Sequence, residues 1–359
     1  MRIGFVIYGD IGTLTGGYLY DRFLTDYLRG QGHQVKIISI PQHSYTRNLI
    51  DNIRPQIWQQ MARNACDLLI QDELTHPSLF RMNRDIRQRR NIPIITLIHA
   101  LRTVLSRHSP LRKCYQYVET RYLTSVDGMI YTSDFSREQT ERLLSDTKPS
   151  VVAWPAGNRF HNIPSQEEIE QRVYQHDPLE IVFLGTLHPG KRLHTLLDAL
   201  TEIPRSRFSL HVIGSPERNS HYVNRIHRQI RRLGLRQQVL LYGELEETSL
   251  ESRLRNGHIL VVPSDSEAFG MAYLEGFAFG LPAVASAVGG ATEIVHHGEN
   301  GFLVDPGDTA QLARYLRMVD ENRSLLCQMS LSARNSYCAH PTWQESMERV
   351  HQFLVSMAA

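Results

Sequence analysis

Cysteine is scarce in this chain, and the four present are dispersed. Cys66, Cys114, Cys327 and Cys338 make no Cys-x-x-Cys spacing, which argues against a disulfide framework or a structural zinc site and fits reduced, mostly buried thiols. A long apolar run is also missing. Residues 1–7 are too short and too soon interrupted for a secretory signal, and the apolar stretch from Phe269 to Ala291 contains Glu275, several glycines and Pro282, so neither spans a bilayer. A cytoplasmic protein is expected. Strong net charge is absent as well, since 39 Lys and Arg stand against 37 Asp and Glu, and no nucleic-acid partner is expected. Finally, Gly9, Gly12, Gly16 and Gly17 do not fit Gly-x-Gly-x-x-Gly, and the second predicted strand ends at Ser39-Ile40-Pro41 without a ribose-binding acid. A nicotinamide-dependent oxidoreductase is therefore the less favoured class.

What the chain does have is apolar content of 42%, enough over 359 residues to build two cores of ordinary domain size. Its charge is unevenly placed: residues 1–120 carry 16 Lys and Arg against 9 Asp and Glu, and the remainder 23 against 28. Arg81, Arg84, Arg87, Arg89, Arg90, Arg102, Arg107, Arg112 and Lys113 supply most of the excess. Such a pattern is compatible with a peripheral contact to an anionic membrane or with an anionic acceptor; ordinary solvated helix faces are the alternative.

The most informative stretch runs from Pro263 to Pro282, PSDSEAFGMAYLEGFAFGLP, behind an apolar strand over 259–262. A helix starting near Gly270 leaves Glu267 in the preceding turn and puts Glu275 two turns in. At about 1.5 Å rise per residue the two carboxylates then sit roughly 8–12 Å apart. That is too far to share a metal or a proton. It suits two hydroxyl-bearing groups separated by a diphosphate, because the amides of Phe269, Gly270 and Met271 at the helix start attract anions between the carboxylates. The expected ligand is a nucleotide sugar.

Glu267 and Glu275 with seven residues between them, followed by Gly280-Leu281-Pro282 and by Gly289-Gly290-Ala291-Thr292-Glu293, resemble the donor site of the family 4 retaining glycosyltransferases. The resemblance covers nearly the whole chain. It implies the α/β GT-B fold: two Rossmann-like domains facing each other across a cleft, with the last helix crossing back to the first. The expected domains are 1–163, with the crossover helix at about 341–359, and 178–340. The polar, proline-containing residues 161–179 read as the linker.

The rest of the chain alternates strand and helix. Strands are expected at 2–8, 35–40, 67–71, 94–98, 126–132, 181–184, 210–213, 239–242 and 283–286, with helices at 18–30, from 136, up to about 200, 308–318 and 343–357. In the resembled family, the Gly16-Gly17 turn brings backbone amides toward the donor phosphate, and the histidine after the fourth strand, here His99, lies beside the transferred sugar. A tight structural turn and an ordinary structural histidine are the alternatives. Asp72-Glu73 reads as a solvent-facing acid pair, with an acceptor-side role as the alternative. Lys191 matches the cation of the family's phosphate loop. Thr186 stands where an Arg is usual, so either Arg192 compensates or the diphosphate is held less tightly. Ala156 likewise replaces the usual Asn before Gly157-Asn158-Arg159-Phe160.

The resemblance implies a retaining glycosyltransferase that moves a sugar from a nucleoside diphosphate, UDP being slightly favoured, to a glycan or lipid-linked acceptor hydroxyl. Lys191, Glu267 and His99 are the expected catalytic residues. Gly16, Gly17, Thr186, Arg192, Phe269, Gly270, Met271 and Glu275 are expected to bind the donor. No cofactor or metal is expected: Asp265-Ser266-Glu267 superficially resembles a metal-binding acidic motif, but Lys191 and the helix terminus already neutralise a diphosphate. A catalytically inactive sugar-nucleotide sensor is the alternative.

Overall fold

A computed structural model describes residues 1–13, 15–54, 57, 59, 66–106, 109–175, 178–215 and 220–358. Residues Met1–Pro155 and Pro341–Ala359 form one compact unit, and Ala156–His340 the other.

The first unit is built on a parallel six-stranded sheet of β1 (Arg2–Tyr8), β2 (Gln34–Ile40), β3 (Leu68–Asp72), β4 (Ile94–Ile98), β5 (Gly128–Tyr131) and β6 (Ser150–Val152), in the order β2-β1-β3-β4-β5-β6. Its central strands β3, β4 and β5 are buried throughout, as expected for parallel strands covered on both faces. The helix Gly16–Gly30 buries Tyr18, Asp21, Leu24, Thr25 and Leu28, one stripe at helical spacing. This helix begins two residues earlier than the sequence pattern suggests. Thr15 caps it by accepting from the Tyr18 amide, so Gly16 and Gly17 form its first turn rather than a tight loop.

At its end the chain returns to this unit. Trp343 of the helix Trp343–Ala358 stacks on Phe23 with ring centroids 4.1 Å apart, and Tyr27 donates to Glu348. Among the described residues no helix is long and apolar enough to cross a membrane.

The second unit repeats the plan with β7 (Leu179–Leu184), β8 (Phe208–Ile213), β9 (Val239–Gly243), β10 (Ile259–Val262), β11 (Ala283–Ser286) and β12 (Gly301–Val304), in the order β12-β11-β10-β7-β8-β9. The order reverses between β7 and β10, and open α/β sheets hold ligands at the carboxyl ends of such strands. Elements that escape the sequence pattern here include β12, which is too short to show a period, and the helices Ser220–Leu233, Glu247–Asn256 and Arg323–Ala339.

Residues 161–179, read as a linker, instead contain the helix Gln166–Gln175. Its buried Arg172 donates to the carbonyls of Arg255, Phe279 and Gly280, so the guanidinium caps the carboxyl end of the helix Met271–Ala278. Of the four thiols, Cys66 and Cys327 are buried, and Cys114 and Cys338 are exposed.

Candidate functional site

In the second unit the residues singled out by sequence collect at the ends of β7 and β10. The turn after β7 forms a short 3-10 helix, Pro189–Lys191, with His188 accepting from the Gly190 amide. Asp265, in the loop after β10, donates its amide to the Gly190 carbonyl at 2.8 Å and ties the two loops together. Lys191 Nζ then lies 2.6 Å from Glu267 Oε2, which also accepts from Ser264 Oγ at 3.3 Å. Two residues 76 apart in sequence become one ion pair.

Backbone geometry fixes Glu267. Gly290 donates to the Glu267 carbonyl, and a Cβ on Gly289, whose φ is +63°, would lie 2.0 Å from that same oxygen. Only glycine permits the approach. Gly270, φ +106°, precedes the helix Met271–Ala278, whose amino end has no side-chain cap, and Phe269 beside it is buried. An uncapped amino end of a helix favours an anion.

Glu275 is nearly buried within that helix, and Arg159 Nε donates to its Oε1 at 2.8 Å. This partner was not anticipated, because nothing local in Gly157-Asn158-Arg159-Phe160 announces that it packs against Leu274. Arg192 takes a left-handed conformation, φ 52°, and pairs with Asp265. Its guanidinium is therefore engaged with a carboxylate rather than standing free to replace the cation lost at Thr186. Thr186 uses its carbonyl to accept from the His188 amide. The acids of Asp265-Ser266-Glu267 each face a cation of this chain, Arg192 and Lys191.

In the first unit His99 follows β4, and a Cβ on Gly17 would lie 3.4 Å from its ring. The first turn of the helix Gly16–Gly30 thus lies within van der Waals contact of the imidazole. His99 Nε2 bonds Asp21 Oδ1 at 3.1 Å, and Tyr20 packs edge-on at 5.6 Å between ring centroids. Tyr20 is itself held by Trp343, 5.7 Å away, and donates to the Ala153 carbonyl.

Asp72 and Glu73 do not face solvent. Both are 1% exposed. Asp72 Oδ1 accepts the Leu74 amide, and the Glu73 carboxylate oxygens are buried without a hydrogen-bond partner. Burial pushes both carboxyl groups up, to about 8. Burial alone lowers the His99 imidazole, but the Asp21 hydrogen bond and charge, with Asp72 and Glu73 nearby, raise it to about 9. The Asp21 carboxylate thus favours the protonated form of the His99 ring. Ligand-type atoms of Asp21, Asp72 and His99 lie within 4.8 Å of one another, as do those of Glu73, His76 and Glu119.

Sequence periodicity did carry a signal for Asp21, a lone carboxylate on the apolar stripe of its helix. Arg107, one of the basic residues singled out above, lies outside the described residues. Several others are engaged: Arg87 pairs with Asp127, Arg102 lies over the Tyr115 ring and Arg81 over Phe80.

Two Rossmann-like units of this topology, with the terminal helix returned to the first, define the GT-B fold. Residues 164–336, just under half of the chain, match the family model described as Glycosyl transferases group 1. Over 99% of its length the chain superposes on 98% of the sucrose-phosphate synthase of Thermosynechococcus elongatus, with a TM-score of 0.83 at 22% identity. It is also similar to HepE of Anabaena in complex with UDP and glucose, with a TM-score of 0.77 at 20% identity, covering 99% of this chain and 100% of that one. In sequence it is 27% identical to a D-inositol 3-phosphate glycosyltransferase of Geodermatophilus obscurus over 277 residues, 73% of this chain and 61% of that protein. The matched stretch spans less than two thirds of that relative.

Proposed function

We propose that this protein is a retaining glycosyltransferase that transfers a sugar from a nucleoside diphosphate to an acceptor hydroxyl without metal or cofactor. The observation that carries the proposal is the Lys191–Glu267 pair beside the uncapped helix end at Gly270. Breaking the bond from sugar to diphosphate builds charge on the departing phosphate. A positioned ammonium and helix amides stabilise that charge. In this assignment Glu267 holds the sugar hydroxyls, Glu275 the ribose, and Gly16, Gly17, Thr186, Arg192, Phe269 and Met271 line the donor. His99 is the further residue assigned to the transferred sugar. No residue assigned to the site makes a convincing covalent nucleophile, so departure and attack on the same face is the mechanism we assign.

UDP is the first donor to test, since a structural neighbour holds UDP and glucose. A thermal-shift screen of UDP, GDP and ADP sugars, followed by mass spectrometry of products, tests the proposal. We expect one nucleotide series to stabilise the protein and its sugar to be transferred or slowly hydrolysed. Stabilisation with complete protection of the donor would instead mark a sensor, and no stabilisation by any of them would end the proposal.

A cytoplasmic enzyme with a glycan or lipid-linked acceptor at an anionic membrane is favoured by a second observation. Ile50, Ile53, Leu105, Leu111 and Tyr117 of the first unit are exposed large apolar side chains, close in sequence to the exposed Arg47, Arg112 and Lys113. Basic residues near headgroups contribute about 1 kcal/mol each. Sedimentation with anionic vesicles at low salt, and not with neutral ones, is expected; a protein that stays in solution points to a soluble acceptor.

A further inference from the structure

Arg159 is a charged residue at the donor elements that the proposed function leaves unused. Its segment follows the start of the second unit and lies against the helix Met271–Ala278: a Cβ on Gly157 would come 3.1 Å from the Leu274 carbonyl oxygen. That contact delivers Arg159 to the next residue, Glu275. Arg159 Nε donates to Glu275 Oε1 at 2.8 Å, and its Nη1 stands 3.8 Å from Glu247 Oε2. The guanidinium carbon lies 4.6 Å from the centroid of Phe160, and Phe160 is buried with its ring edge-on to Phe279 at 5.1 Å. An aromatic face beneath the fork and a carboxylate on either side fix its plane.

The neighbours give this geometry a direction. Glu275 belongs to the helix after β10, and Glu247 opens the helix Glu247–Asn256 after β9. Arg159 therefore links the carboxylate assigned to the ribose with the end of the edge strand β9. It occupies one oxygen of Glu275 and leaves Oε2 for a ligand. A carboxylate held by one oxygen has a defined direction for the other, and a defined acceptor can tell a ribose hydroxyl from its absence.

We infer that Arg159 is a positioning residue that aims Glu275 at the ribose of the donor, so that the site selects ribonucleotides through Arg159 and not through Glu275 alone. The inference rests on the assignment of Glu275 to the ribose. It offers no cation to replace the one lost at Thr186, because Arg159 acts on the nucleoside and not on the diphosphate.

The test uses the full chain titrated with UDP and with 2′-deoxy-UDP, or with the GDP or ADP pair if that nucleotide binds instead. For the unaltered protein we expect the ribonucleotide to bind about tenfold more tightly, the scale of one hydrogen bond to a charged group. In Arg159→Gln that preference should fall toward unity while the deoxy form binds nearly as before. Arg159→Lys, which restores charge without the fork, should recover only part of it. Adding Arg159→Gln to Glu275→Gln should change the preference no further, since the two act as one unit. If Arg159→Gln weakens both nucleotides equally, the residue serves the phosphate or the fold, and the inference is wrong. If its preference is unchanged, the inference is equally wrong. A protein that binds none of the three nucleotides would instead overturn the proposed function from which the inference starts.

Discussion

Lys191 Nζ and Glu267 Oε2 lie 2.6 Å apart, joining the turn after β7 to the loop after β10. Glu275 has its own cation in Arg159 at 2.8 Å. Each carboxylate of the Glu-x7-Glu pair thus keeps one oxygen on a positive side chain, and neither is a free acid.

The two glutamates should therefore fail differently. Glu275→Ala should raise the donor KM by about tenfold with a smaller change in kcat, because ribose contacts are the same before and during reaction. Glu267→Ala should lower kcat by about a hundredfold, because it also strips Lys191 of its partner and the sugar of its contact. Steady-state kinetics on the donor that the screen identifies separates them. Unaltered kcat/KM in both variants would dismiss the assignment.

Stability of the first unit should fall as pH rises. Asp72 and Glu73, ordinarily near 3.8 and 4.5, are raised by burial to about 8, so the folded chain keeps protons that the unfolded chain has lost between those values. His99, raised from 6.5 to about 9, contributes stability that is full below 6.5 and lost as pH rises through 9. All three act in one direction. Thermal unfolding should drop by at least about 5 °C from pH 5 to pH 9, and Glu73→Gln should flatten the slope. A melting temperature that rises over that range contradicts the buried, protonated state.

Gly289→Ala should be disproportionately harmful for a surface turn. The new methyl would stand 2.0 Å from the Glu267 carbonyl oxygen at a φ of +63°. Relieving it must move the loop that carries Glu267, at a cost of about 1–3 kcal/mol or more. Chemical denaturation and nucleotide binding should both worsen, whereas Gly298→Ala, φ +84° with no atom within 4 Å of its Cβ, should leave nucleotide binding unchanged.

Trp343→Ala should damage a residue more than two hundred positions away in sequence. Trp343 stacks on Phe23 and braces Tyr20, which packs on His99. The cavity costs about 3–5 kcal/mol. Urea unfolding measures that loss, and the His99 imidazole, followed by nuclear magnetic resonance, should shift its titration as its aromatic neighbour loosens. An unmoved His99 titration would show that Tyr20 holds its place without the tryptophan.

Local chemistry determined much of this protein. The apolar runs at 94–98, 259–262 and 283–286 became strands at those same residues, and the alternation of strand with helix gave two parallel-sheet units. The positions of Glu267 and Glu275 on either side of a helix start also follow from spacing alone, because helix geometry depends only on neighbours a few residues away. Tertiary structure decided which charges meet. Lys191 with Glu267, Arg192 with Asp265 and Arg159 with Glu275 join residues 73 to 116 apart, set by strand order and not by any local period. The same holds for Asp72 and Glu73. Their sequence is that of a solvated acid pair, and only the packing around β3, with Asp21 and His99 brought beside them, buries them and raises both carboxyl groups above their ordinary range.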